Sequence, residues 1–145
     1  MRVPRPRRRR FRLADSAQQM VGGFLLAGPF VMTEEVWVLA ANMSLLQTAA
    51  VVSIVFLIGY VTLFKADPDR DPVTEQRLAG IPVRFISLML ISFGSVTILT
   101  FLVDAPDTFV DESYATAEMA LITFKAISLG SVFSVVGAAT ADSVF

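Results

Sequence analysis

The sequence predicts an all-α polytopic membrane protein, a bundle of four transmembrane helices, and three observations carry that prediction. Residues 36–64 and 85–103 contain no charged side chain. Either run is long enough to cross a bilayer core, which takes about 20 apolar residues in a helix. Two further apolar segments flank them, broken by charge only at Glu34–Glu35 and at Lys125. Finally, 54% of the 145 residues are hydrophobic and 17% are charged, against about a quarter charged in a soluble domain. These charges stand in blocks between the apolar runs, so one membrane domain, residues 15–145, follows a basic arm at 1–14.

The arm holds seven of the twelve basic residues. Arg7, Arg8, Arg9, Arg10 and Arg12 are read as contacts to anionic lipid headgroups, at about 1 kcal/mol for each basic residue near the surface. Phe11 is the arm's one aromatic, so nucleic acid is not an expected partner. Arg9-Arg10-Phe11 is similar to a twin-arginine export signal, but no small-x-small cleavage site follows the apolar region.

The first helix is expected over about 16–41. Asp15 reads as its N-cap, with Gln18 in the capping-box position, and Pro29 should kink it. Asn42 and Ser44 supply a tight turn and a cap for the second helix, about 45–64. In the polar loop after it, Asp71-Pro72 reads as the start of a short helix that Gly80 and Pro82 stop. Asp67, Asp69 and Asp71 alternate like a calcium loop, but Pro72 and Leu78 stand where such a loop needs Gly and Glu. The third helix spans about 83–103 and the fourth about 115–141.

Orientation follows from the basic residues. The arm and the loop containing Lys65, Arg70, Arg77 and Arg84 carry eleven, while the turn at Asn42 and the loop 104–118 carry none. The positive-inside rule then places both termini in the cytoplasm, in a cell (inner) membrane. Trp37 reads as an interfacial anchor at the outer end of the first helix.

The charges inside the apolar segments are the candidate site. If the first helix runs to Ala41, Glu34 lies roughly 10 Å below its outer end, and Lys125 lies roughly 9 Å below the start of the fourth helix. The expectation is a cluster of Glu34, Glu35 and Lys125, with Glu118, two turns above Lys125, competing as its partner. Such a cluster serves either as a structural clamp or as an ion or proton site. Alternatively, Lys125 snorkels unpaired to the headgroups.

Ala126, Gly130, Ser134, Ala138 and Asp142 recur every four residues in the fourth helix. Small residues at that spacing let helix backbones approach closely. A contact within the chain is favoured over a homo-oligomer seam, which stays open. Gly22, Gly23 and Gly28 offer the first helix a similar surface.

The chain has no cysteine and no histidine. Disulfides, thiolate nucleophiles, Cys/His metal sites and His bases are therefore excluded. No metal or other cofactor and no enzymatic activity are expected.

The segment 22–30 (Gly-Gly-Phe-Leu-Leu-Ala-Gly-Pro-Phe), followed by Thr33, Glu35 and Trp37, resembles the opening of an uncharacterised family of archaeal and bacterial integral membrane proteins, a domain of unknown function. The resemblance extends over Gly80-Ile81-Pro82 and the third helix. It implies a membrane fold and no particular activity. A structural or accessory bundle is the expected function, with a small ion- or proton-coupled oligomeric transporter as the alternative.

Overall fold

Small residues recur along the fourth long helix, and the other helices pack on that helix. The computed structural model of the protein describes residues 13–31, 33–65, 77–78 and 80–144. The arm with its arginines and the expected short helix at Asp71-Pro72 lie outside these residues. The described residues form α1 (Leu13–Val31), α2 (Glu34–Asn42), α3 (Leu45–Tyr60), α4 (Val83–Leu102), α5 (Ala105–Phe109) and α6 (Thr116–Val144). A π-helical turn, Val61–Lys65, prolongs α3. Before α4, β1 (Arg77–Leu78) pairs antiparallel with β2 (Ile81–Pro82), with Gly80 between them at φ +81°.

Local chemistry sets the helix ends. Ser44 caps α3 through a full capping box: its hydroxyl accepts from the Gln47 N–H at 3.1 Å, and the Gln47 side chain accepts from the Ser44 N–H at 2.8 Å. Asn42 closes α2 by donating its side-chain amide to the Val38 carbonyl. α4 stops at Asp104, whose backbone is left-handed (φ 53°), a conformation that short polar Asp tolerates better than most residues. Within the helices, hydroxyls turn back on their own turn: Ser92 donates to the Leu88 carbonyl, Thr97 to Phe93 and Ser131 to Ile127. That leaves few hydroxyls in need of water.

The expected first helix, 16–41, is broken: α1 and α2 meet at 83°. Pro29 lies inside the last turns of α1 and cannot supply an amide hydrogen there. Thr33 is extended, its hydroxyl and N–H both donate to the Phe30 carbonyl, and it stands as N-cap of α2. Glu34 and Glu35 occupy the first turn of α2, where negative charge suits the positive end of the helix dipole. Thr33-Glu34-Glu35 thus ends one helix and starts another. α1 already includes Leu13 and Ala14, so Asp15 lies within the helix and is not its cap.

The long helices alternate in direction. Gln19 of α1 meets Asp142 of α6, and Gly22 meets Gly137, so these two run antiparallel. Arg84, Ser95 and Val96 of α4 meet Asp142, Ser134 and Ile127 in turn, so α4 runs with α1. α3 runs with α6, and its Val55 and Leu63 share a core with Leu88, Met89, Val135, Ala138 and Ala139. A second core, at the other end, gathers Trp37, Ala40, Ala105, Val110, Ile122 and Ala126. Half of the apolar span of α6 is buried, against 17% of that of α3.

The residues from Leu45 to Leu63, Val83 to Leu102 and Thr116 to Asp142 are long and apolar enough to cross a membrane. α1 and α2 meet that test only together, as the bent pair. Large apolar side chains, among them Leu25, Leu57, Leu90, Ile98, Phe101 and Phe124, stand exposed on the outside of the bundle. A shell of that extent is unsuited to water, and the protein is membrane-embedded.

Candidate functional site

Asp15 and Gln19 lie one turn apart on α1, Arg84 and Ser87 about one turn apart on α4, and Asp142 at the end of α6. Helical spacing of three or four residues stacks side chains on one face. Where the three helices converge, these side chains join in one network. Arg84 Nη1 donates to Asp142 Oδ1 at 2.7 Å, and Nη2 to Asp15 Oδ2 at 3.3 Å. Gln19 Nε2 donates to the second Asp142 oxygen at 3.3 Å. Ser87 Oγ donates to Gln19 Oε1 at 2.7 Å and lies 2.9 Å from Ser16 Oγ.

Arg84 is 5% exposed and Asp142 3%, so this is a buried ion pair. Each charge opposes the dipole of its own helix: Arg84 sits in the first turn of α4, and Asp142 in the last turn of α6. Their pairing offsets both penalties, and Gln19 satisfies a carboxylate oxygen that the arginine does not hold. The arrangement binds three helices at one end of the bundle.

Deeper in, the same three helices meet at Gly23. A Cβ there would come within 2.9 Å of Ser134 Oγ and 3.2 Å of Ser95 Oγ. Both hydroxyls, with that of Thr100, are buried without a hydrogen-bond partner. Gly22 and Gly137 approach more tightly still, and a Cβ on either would run into the carbonyl of the other. A Cβ on Gly28 would only reach ordinary contact with Leu99, and Gly130 is buried in α6.

The Glu34–Glu35–Lys125 cluster does not form. Glu34 and Glu35 are exposed and border a shallow recess with Val38 and Leu39. Lys125 is 7% exposed and donates to the Met43 carbonyl at the end of α2. There its charge suits the negative end of that helix. Glu118 is exposed in the first turn of α6. Among the described residues, no ion pair joins Lys125 to any of the three. The cause is the break after α1, which carries both glutamates onto a separate helix.

Trp37 is 1% exposed and stacks on Phe109 with centroids 6.1 Å apart. It is a core residue of the end opposite Arg84, not a side chain facing an interface, because the bend turns α2 onto α6.

The sequence reading gave the network's members other roles: Asp15 as a cap, Arg84 as a loop charge, Asp142 as the end of a small-residue stripe. One signal could have joined them. With an even number of crossings, the start of the first helix, the start of the third and the end of the fourth share a side, and each carries a charge. No family model matches the chain, and neither a curated protein nor a solved structure matches it.

Proposed function

We propose that the protein is a structural or accessory membrane bundle with four crossings, its arm, middle loop and C-terminus on the cytoplasmic side of a cell membrane. The carrying observation is the buried Arg84–Asp142 pair with Asp15 and Gln19 around it. Charges held dry and matched to one another behave as a clamp, whereas a transport site needs water to reach its carboxylate. The basic residues, eleven on one side and none in the opposite loops, support the orientation. In this reading α1 is the first crossing and α2 lies along the outer surface, which keeps Glu34 and Glu35 in contact with water. The resemblance of its opening segment to an uncharacterised integral membrane family is part of this proposal and bears on the membrane fold, not on activity.

Reconstitution into liposomes carrying a pH-sensitive dye tests the clamp. The expected result is no proton flux under a pH gradient or on adding organic cations. A flux abolished by Asp142→Asn, with the variant still folded, would overturn the reading.

A second reading, a small ion- or proton-coupled transporter acting as an oligomer, is favoured by one observation. The first crossing is discontinuous, with two carboxylates in the first turn of its second half. Transporters often place coupling-ion sites at such breaks. Loss of a measured flux on Glu35→Gln, with Asp142→Asn still active, would select it.

A further inference from the structure

At the end of the bundle away from Arg84, α2, the end of α5 with the segment after it, and α6 border a half-open pocket of about 270 Å³. Three aromatic side chains line it: Trp37, Phe109 and Tyr114. The Asp111 carboxylate and the Asn42 amide share the lining, and the remaining residues are aliphatic. Trp37 is almost wholly buried against Phe109 and meets the pocket only at its edge, while Tyr114 is exposed and offers its ring. Asp111 is exposed, and its Oδ1 accepts from the Ser113 N–H at 3.0 Å.

Rings offer a negative face to a cation, and a methylated ammonium can lose its water against them cheaply. A carboxylate at the rim adds directional attraction. The charge around the pocket has the matching sign: Asp104, Asp107, Asp111, Glu112 and Glu118 occupy residues 104–118 with no basic residue among them. Lys125 does not line the pocket, and its ammonium is held by the Met43 carbonyl. The volume lies just under the ~300–1,000 Å³ of sites for drug-sized ligands, so it suits a headgroup and not a large molecule.

We propose that this pocket binds a small methylated ammonium group, carried either by a free compound such as choline or by a zwitterionic lipid headgroup. The site lies at the opposite end from the clamp and does not depend on it.

Trp37 is the chain's one tryptophan, so its emission reports changes in the pocket's lining. The full-length protein in an uncharged maltoside detergent is titrated with choline, tetramethylammonium or sodium chloride, and with 3,3-dimethylbutanol, the neutral isostere of choline. Equilibrium dialysis with radiolabelled choline measures binding independently of emission. The expected result is saturable binding of both ammonium compounds, with the isostere about tenfold weaker or worse. Asp111→Asn keeps the acceptor for Ser113 and removes only the charge, and it too should weaken choline about tenfold. Tyr114→Leu, at an exposed position, should do the same without unfolding the protein.

Equal binding of choline and its isostere, unchanged binding by Asp111→Asn, or no saturable choline in dialysis would each overturn the proposal. Nanodiscs separate the two sources. If lipid supplies the group, phosphatidylcholine discs shift the emission unaided and free choline adds nothing. If a free compound does, choline binds equally in phosphatidylcholine and phosphatidylglycerol discs.

Discussion

Arg84 and Asp142 show how unequal the consequences of two substitutions at one pair can be. Removing one partner leaves the other charge buried and unmatched, a loss of about 3–5 kcal/mol, while replacing both with apolar residues of similar volume costs far less. Asp142→Ala and Arg84→Ala are therefore expected to unfold at much lower SDS in a denaturation titration, and the double variant Arg84→Met/Asp142→Leu to recover most of the loss. Ser134 makes the opposite case. Its hydroxyl is buried without a partner, and such a group costs about 1–3 kcal/mol. Ser134→Ala should be neutral or stabilising in the same titration. Lys125→Met removes the donor from the Met43 carbonyl and should cost about 1–3 kcal/mol. Rescue by Lys125→Arg would show that the bond to the carbonyl matters more than packing. That Lys125 must find a polar partner was legible in its place within an apolar segment. Which partner was not, because an ammonium is satisfied by a helix-end carbonyl as well as by a carboxylate, and only the fold decides.

The small residues of α6 could be read from the sequence as a close-packing surface, but not the face they present. Successive residues four apart on a helix of 3.6 residues per turn advance around it. Ala126 therefore joins the core with Trp37, while Ala138 joins that of Val55 and Leu63. The face that meets α1 instead follows Ser134, Gly137 and Ala141. Gly137 lies outside the four-residue stripe and is nonetheless a point of closest approach. Gly137→Leu and Gly22→Val must part α1 from α6, because the obstacle on each side is backbone and cannot rotate away. Both variants should lose the unsubstituted protein's elution volume on size exclusion, whereas Gly94→Ala, with open space around its Cβ position, should not. The break between α1 and α2 had a readable sign in Thr33-Glu34-Glu35, a cap followed by an acidic first turn. The apolar run after it, from Val36 to Ala41, argued for continuity because burial in lipid and burial against α6 ask for the same residues.

The exposed apolar surface and the alternating helix directions together describe a molecule with two distinct ends. One end has a buried ion pair, the other an aromatic core under acidic residues. The absence of cysteine makes the proposed orientation easy to measure. A single cysteine at Ser113 should react in intact cells with a membrane-impermeant maleimide, and one at Ile81 only after the membrane is opened. The reverse pattern would invert the topology. Three of the helices expected from hydropathy coincide closely with helices long and apolar enough to cross a membrane. In the first it missed the break, since hydropathy carries no information about an 83° turn. All the long helices lean on α6, and α6 is also the last of them to leave the ribosome. Until residue 142 emerges, Arg84 has Asp15 but lacks Asp142, and the glycines of α1 wait without the surface they fit. The earlier helices are expected to stay with the insertion machinery until α6 is made, and the bundle to close late. Nascent chains stalled at residue 115 should still crosslink to the insertase through α1 and α4, and chains carrying α6 should be released.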